Sequence, residues 1–258
     1  MTFVRLLASA AIAMAVVAAP AAAKDWETVR IGTEGAYPPF NTLTSSGELE
    51  GFDIDIANAL CEKMEVKCEF VTQDWEGIIT ALEAGKYDAI IASMSITDER
   101  KERVAFTNKY YNTPPALVVP KGSDITEATA EALSGKTIGA QASTTHAEYA
   151  EKLFPDADVK LYPTAEEYKL DLENGRLDGA VDDVIVIDEW VKDSGTCCEI
   201  VNTLPIDASI YGEGIGIAIR KEDQDLVEMF NKAIAEIRED GTYKAINDKY
   251  FEFDVYGD

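Results

Sequence analysis

The chain has 258 residues, 47% hydrophobic and 9% aromatic, enough apolar material for a folded core and too much for a disordered or fibrous class. Against 23 Lys and Arg stand 48 Asp and Glu, a formal net charge of −25, so nucleic acid, whose phosphates the chain would repel, is excluded as a natural partner. The acidity names no ligand, because a solvated surface is often this acidic.

Residues 1–23 stand apart. Arg5 is their only charge, an apolar run follows, and the run ends in Ala21, Ala22 and Ala23. A secretory signal peptide cut before Lys24 has this form. The competing reading is a membrane anchor, for which the Ala-rich run, interrupted by Pro20, is short. No Cys follows for lipid attachment, and no later apolar stretch is long enough to span a bilayer. Export places the four Cys in an oxidising compartment. Cys61 and Cys68 sit at the end of a helical pattern and the start of a strand pattern and are expected to pair. Cys197 and Cys198 are adjacent and bridge only with local strain, so they read as free thiols or an occasional strained disulfide. There is no CxxC, and His146 is the sole His, so no metal site is expected.

From Lys24 onward, β-like and helix-like runs alternate. Residues 28–33 are β-like. Residues 52–64 carry Ile56, Leu60 and Met64 four apart, a helical spacing. Residues 66–71 read as a strand and 75–85 as a helix stopped by Gly85. The apolar run 88–93 has the character of a buried parallel strand. Pro114 and Pro115 precede a strand-like ALVV. Strands are predicted at 136–141, 159–163, 177–183 and 199–204, with helices between them opening near Ser143, Thr164 and Val184. Residues 211–221 read as a further strand, 222–240 as a long amphipathic helix, and a last helical pattern surrounds Tyr243–Phe251. The order predicts an α/β fold with mostly parallel sheets.

Two stretches echo each other, LEAGKYDAIIAS (82–93) and LENGRLDGAVDD (172–183). In this register Ser93 falls opposite Asp183, each at the carboxyl end of a strand, where open α/β sheets bind ligands. Two similar lobes follow. Lobe 1 is expected to comprise residues 24–112 and 214–258, lobe 2 residues 117–207, and a two-segment hinge residues 113–116 and 208–213.

Here the residues resemble a known family. GTEGAYPPF (32–40), GFDIDIANALCEKM (51–64), ASMSITDER (92–100), QASTT (141–145), GRLDGAVDD (175–183) and EDGTYKAINDKYF (239–251) occur together in one order. They are similar to periplasmic solute-binding proteins of polar amino-acid ABC importers, in the lysine/arginine/ornithine- and histidine-binding branch with its opine-binding members. The resemblance implies two α/β lobes that close on an amino-acid ligand, transient contact with a membrane-embedded permease, no cofactor and a monomeric protein.

It also implies a site. Thr97 can cap a helix, which puts Arg100 in the first turn. An arginine there can be an ordinary surface residue, or a fork for a ligand carboxylate, and the family match favours the fork. Ser143 and Thr144 open a predicted helix whose N–H groups suit the same carboxylate. The match assigns Asp183 to the ligand's α-ammonium, with Ser93 and Ser95 on the opposite lobe. Tyr37 and Trp75, which could equally be core aromatics, match walls around the ligand side chain, and Glu34 matches an acid at its far end. Ala92 replaces a Ser of the amino-acid-binding branch and Trp75 a Phe or Leu, a pattern closer to the opine-binding members. One of Asp182 and Asp183 is expected to be a solvent-facing charge or a helix cap, and His146 an exposed helix residue. The alternatives are a dehydratase on the same fold, and a sensor for a membrane kinase.

Overall fold

The computed structural model describes residues 24–194 and 197–257. The expected signal peptide, residues 1–23, lies outside the described residues. Lobe 1 begins with β1 (Thr28–Thr33), followed by a small hairpin sheet of β2 (Ala36–Tyr37), β3 (Asn41–Leu43) and β4 (Leu49–Glu50). Then come α1 (Phe52–Met64), β5 (Lys67–Thr72), α2 (Ile78–Glu83), β6 (Ala89–Ile90), α3 (Asp98–Lys101) and β7 (Ala105–Phe106). Lobe 2 holds β8 (Pro115–Pro120), β9 (Thr137–Gln141), α4 (Thr145–Leu153), β10 (Asp158–Tyr162), α5 (Ala165–Glu173), β11 (Gly179–Asp183), α6 (Val184–Ser194), β12 (Cys198–Thr203) and α7 (Ala208–Tyr211). The chain then returns to lobe 1 for β13 (Ala218–Ile219), α8 (Gln224–Glu239) and α9 (Thr242–Tyr250).

The lobe 1 sheet has the order β5-β1-β6-β13-β7 and the lobe 2 sheet β10-β9-β11-β8-β12. In each, four strands run in one direction, three of them paired in parallel as the βα alternation predicts, and the one strand that enters from the other lobe, β13 or β8, runs antiparallel between its neighbours. The sheets are therefore mixed. A strand entering from the other lobe arrives without a helical crossover and joins in the reverse direction. Helices cover both faces. In β8, Ala116 and Val118 pack with residues of α5 and α6, whereas Leu117 and Val119 pack with residues of α4 and α7, the two-sided burial that makes such strands apolar throughout. Helix α1 buries Phe52, Ile56 and Leu60 on one stripe, each contributing roughly 1.5–3 kcal/mol.

The internal echo has a structural meaning. Asp88 accepts the N–H of Arg30 at 3.1 Å, and its counterpart Asp178 accepts the N–H of Thr137 at 2.7 Å. Each aspartate thus fixes its strand against the neighbouring parallel strand, β1 in lobe 1 and β9 in lobe 2. The same register pairs Gly32 with Gly139. A Cβ on Gly32 would come within 2.6 Å of Tyr87, and one on Gly139 within 2.6 Å of Leu177. Glu34 and Gln141 are therefore counterparts, as are Ser93 and Asp183.

Cys61 and Cys68 are bonded, with Cα atoms 6.0 Å apart, inside the usual disulfide span. Cys197 and Cys198 are bonded too. Among the described residues, no helix is long and apolar enough to cross a membrane.

Candidate functional site

The residues singled out from the sequence meet where the two lobes face each other. All of them except Ser143 line one cleft of about 500 Å³, its open mouth included, with Ala92, Tyr111, Thr113, Gln141, His146 and Tyr211 among the further lining residues. Ser143 stands at the rim.

Local structure explains each placement. β1 ends at Thr33, so Glu34 leaves the carboxyl end of the central strand and reaches across to Gln141, whose Nε2 donates to Glu34 Oε1 at 2.7 Å. Trp75 lies between β5 and α2 and donates its indole N–H to the Ser143 carbonyl at 3.1 Å. Thr97 caps α3 by accepting the N–H of Arg100 at 3.3 Å. That cap turns the guanidinium inward, where Nη1 donates to the Ser95 carbonyl at 3.0 Å and Nη2 to the Ser143 carbonyl at 3.3 Å. The guanidinium also lies 5.3 Å from the Trp75 ring centre. Ser95 Oγ pairs with Thr145 Oγ1 at 3.3 Å. These bonds join lobe 1 to lobe 2, so the cleft is closed in this structure.

Two backbone outliers sit in the site. Ser93 has φ of 55° and Ser143 φ of 60°, a region non-glycine residues seldom occupy and one often held at functional sites. Ser93 is anchored there by Asp53, which is fully buried in α1 and accepts from Ser93 Oγ at 3.0 Å, Asn41 Nδ2 at 2.9 Å and Tyr110 at 2.7 Å. Ser143 precedes the helix cap instead of forming it. Thr144 is the cap, accepting the Ala147 N–H, and Ser143 turns its carbonyl toward the lobe 1 donors.

Electrostatics divides the cleft. Burial lowers Arg100 to about 10, so it stays charged at neutral pH. Burial raises Glu34 to about 7, opposed by the Gln141 hydrogen bond. Asp183 is also pushed by burial to about 7, opposed by its bonds from Thr113 and the Ile185 N–H. The cleft thus holds one firm cation and two carboxyl groups that lack a cationic partner, an arrangement stabilised by a ligand bringing one negative and two positive charges.

The sequence profile of the bacterial extracellular solute-binding proteins, family 3, matches residues 29–253. The chain belongs to that family. It is 47% identical over 251 residues to an L-arginine-binding protein of Pseudomonas aeruginosa, covering 96% of each chain. It is 40% identical over 236 residues to a lysine/arginine/ornithine-binding periplasmic protein of Escherichia coli, covering 90% of each. Its structure is similar, at a TM-score of 0.81 and 40% identity, to an ancestral arginine-binding protein bound to arginine, over 87% of this chain and 98% of that one.

Against the sequence expectations for this solute-binding protein, one residue needs correction. His146 is not an exposed helix residue. Its side chain is 14% exposed, lines the cleft and pairs through Nδ1 with the Tyr211 hydroxyl at 3.0 Å, because the first turn of α4 faces the opposite lobe. Burial pushes its pKa down, opposed by Asp182. Of the aspartate pair, Asp183 is the expected helix cap, closing the start of α6 through Ile185 at 2.8 Å while lining the cleft, and Asp182 points away from solvent. It is buried and accepts from Tyr37 and Tyr168, at 2.5 Å each. Gln141, Thr113, Tyr211 and Asp53 were not singled out from the sequence. The register pairing Glu34 with Gln141 was a usable signal for Gln141, and the others carried none.

Proposed function

We propose that this protein captures a cationic amino acid between its lobes in the periplasm, as a monomer, and delivers it to an ABC permease. Arginine is the leading ligand, followed by lysine, ornithine, histidine and an arginine-derived opine. The carrying observation is that Arg100, Asp183 and Glu34 share one cleft. An amino acid's carboxylate pairs with Arg100, with the neighbouring groups of Ser143 and Thr144. Its ammonium pairs with Asp183, opposite Ser93 and Ser95. Glu34 then faces the side-chain tip, and an unpaired buried carboxylate is costly, so the tip is cationic. Tyr37 and Trp75 wall the stem, and ring faces attract a guanidinium or ammonium. The relatives named for arginine, lysine and ornithine support the reading. Opening and closing pivot on the two crossings, within 113–116 ahead of β8 and within 208–213 after α7. There a Cβ on Gly212, at φ of 67°, would overlap the Ile96 carbonyl. The signal peptide, residues 1–23, is removed on export. The test is mass spectrometry of ligand released from protein purified without denaturation. A basic amino acid or its derivative is expected, and glutamate or a neutral amino acid overturns the reading.

A further inference from the structure

Tyr37 and Asp182 meet from opposite lobes. The Tyr37 hydroxyl donates to Asp182 Oδ1 at 2.5 Å, and both side chains are buried. The same carboxylate is held within lobe 2 by the Asp183 N–H at 2.7 Å and the Tyr168 hydroxyl at 2.5 Å, and His146 Nε2 lies 3.4 Å from Oδ1. Strand alternation turns neighbouring residues of β11 to opposite faces. Asp183 consequently lines the cleft and Asp182 does not.

The other contacts described across the cleft use groups that a ligand would engage, namely Glu34 with Gln141, Arg100 and Trp75 with Ser143, and Ser95 with Thr145. The Tyr37–Asp182 bond is made behind the cleft wall, so no ligand needs to displace it. It forms only when the lobes meet.

We propose that Tyr37 and Asp182 form a latch between the lobes, a positioning pair that favours the closed state equally for every ligand. The proposal rests on the cleft being the ligand site and adds what sets binding strength apart from selectivity. A contact that depends on closure and not on the ligand multiplies all affinities by one factor.

Tyr37→Phe deletes the hydroxyl and keeps the ring. Tyr168→Phe deletes the other tyrosine bond to the same carboxylate, inside one lobe. Calorimetry with arginine and with lysine on wild-type protein and both variants separates the roles. Tyr37→Phe should weaken both amino acids by a common factor of about ten, the factor carried by about 1.4 kcal/mol. Tyr168→Phe should leave both within about threefold, since its bond does not depend on closure. Unequal losses in Tyr37→Phe, no loss, or an equal loss in Tyr168→Phe overturns the latch. If Tyr37→Phe does not fold, Asp182→Asn, which keeps an acceptor but loses its charge, should give a smaller loss common to both amino acids, and an unequal one overturns the proposal. A second arm needs no ligand. Spin labels at the exposed positions Leu43 in lobe 1 and Leu170 in lobe 2 should show a short-distance population in wild type and Tyr168→Phe that Tyr37→Phe loses, and identical distributions overturn the latch. Wild-type protein that binds neither amino acid overturns the proposed function, while the second arm still decides the latch.

Discussion

Glu34→Gln removes one charge from the cleft and keeps its shape. The amide retains an oxygen for the N–H of Gln141, as Glu34 Oε1 has now at 2.7 Å. Truncating one partner of a buried charge pair costs on the order of 2–5 kcal/mol. Because the hydrogen bond survives, the low end applies, about 2 kcal/mol or roughly thirtyfold in arginine affinity. Citrulline, which has a neutral tip of the same shape, should change by less than about threefold. The pH profile adds a second signature. Glu34 and Asp183 are both raised to about 7 by burial, and each must be ionised to pair with a cation. A carboxyl raised in the free protein and lowered by its cationic partner releases a proton on binding, so affinity rises with pH. For a pKa of about 7 the ionised fraction grows about tenfold from pH 6 to pH 8, roughly a hundredfold for two groups. Glu34→Gln should retain only the tenfold share of Asp183. Calorimetry at pH 6, 7 and 8, in buffers of different ionisation heat, counts the released protons. Wild-type arginine affinity in Glu34→Gln, or an unchanged pH slope, would refute the assignment of Glu34 to the ligand tip.

Arg100→Ala should cost on the order of 2–5 kcal/mol of arginine binding by stranding the ligand carboxylate. Near-native affinity by calorimetry would remove Arg100 from the site. Replacing Cys61 and Cys68 by Ser should cost about 2.5 kcal/mol of stability through the small loop they close, read as a lower urea midpoint, and an unchanged midpoint argues against the staple. Asp88→Asn should destabilise lobe 1 by about 2–3 kcal/mol, since it takes the charged partner from half-exposed Arg30 and leaves the buried Arg220 with Asp223 alone, while Asp178→Asn should cost nearer 1 kcal/mol. Burial pushes Asp88 up, but the hydrogen bonds from Arg30 and Arg220 outweigh it and leave its pKa lowered. Its contribution is thus complete above the unfolded carboxylate pKa of about 4 and lost as pH falls further. Thermal melts of both variants from pH 3 to 7 check the order.

Helices α1 and α6 were legible to the residue, because a one-sided apolar stripe or a run ended by a turn leaves one solution. The echo between residues 82–93 and 172–183 was legible because the same packing problem, an aspartate pinning a parallel strand, recurs in each lobe. The hairpin strands β2, β3 and β4 were not, since two- and three-residue strands carry no period. Residues 211–221 were expected to form one strand, yet only Ala218–Ile219 belong to β13, with Ile215 making single bridges to Ser95 and Tyr111. The head-group residues could be matched from their motifs. The roles of Asp182, His146 and Asp53 depend on contacts from distant parts of the chain, including Tyr37 for Asp182, Tyr211 for His146 and Tyr110 for Asp53, which no local pattern encodes.

The central claim is that a cationic tip completes the cleft around Glu34, Asp183 and Arg100. Calorimetric titration of the wild-type protein with arginine, lysine, ornithine, glutamine and glutamate, at one pH near 7.5, tests it most directly. The account predicts that the three basic amino acids bind at least about tenfold more tightly than glutamine, with glutamate weakest because its tip carboxylate meets Glu34. Tightest binding of glutamate or of glutamine would contradict it.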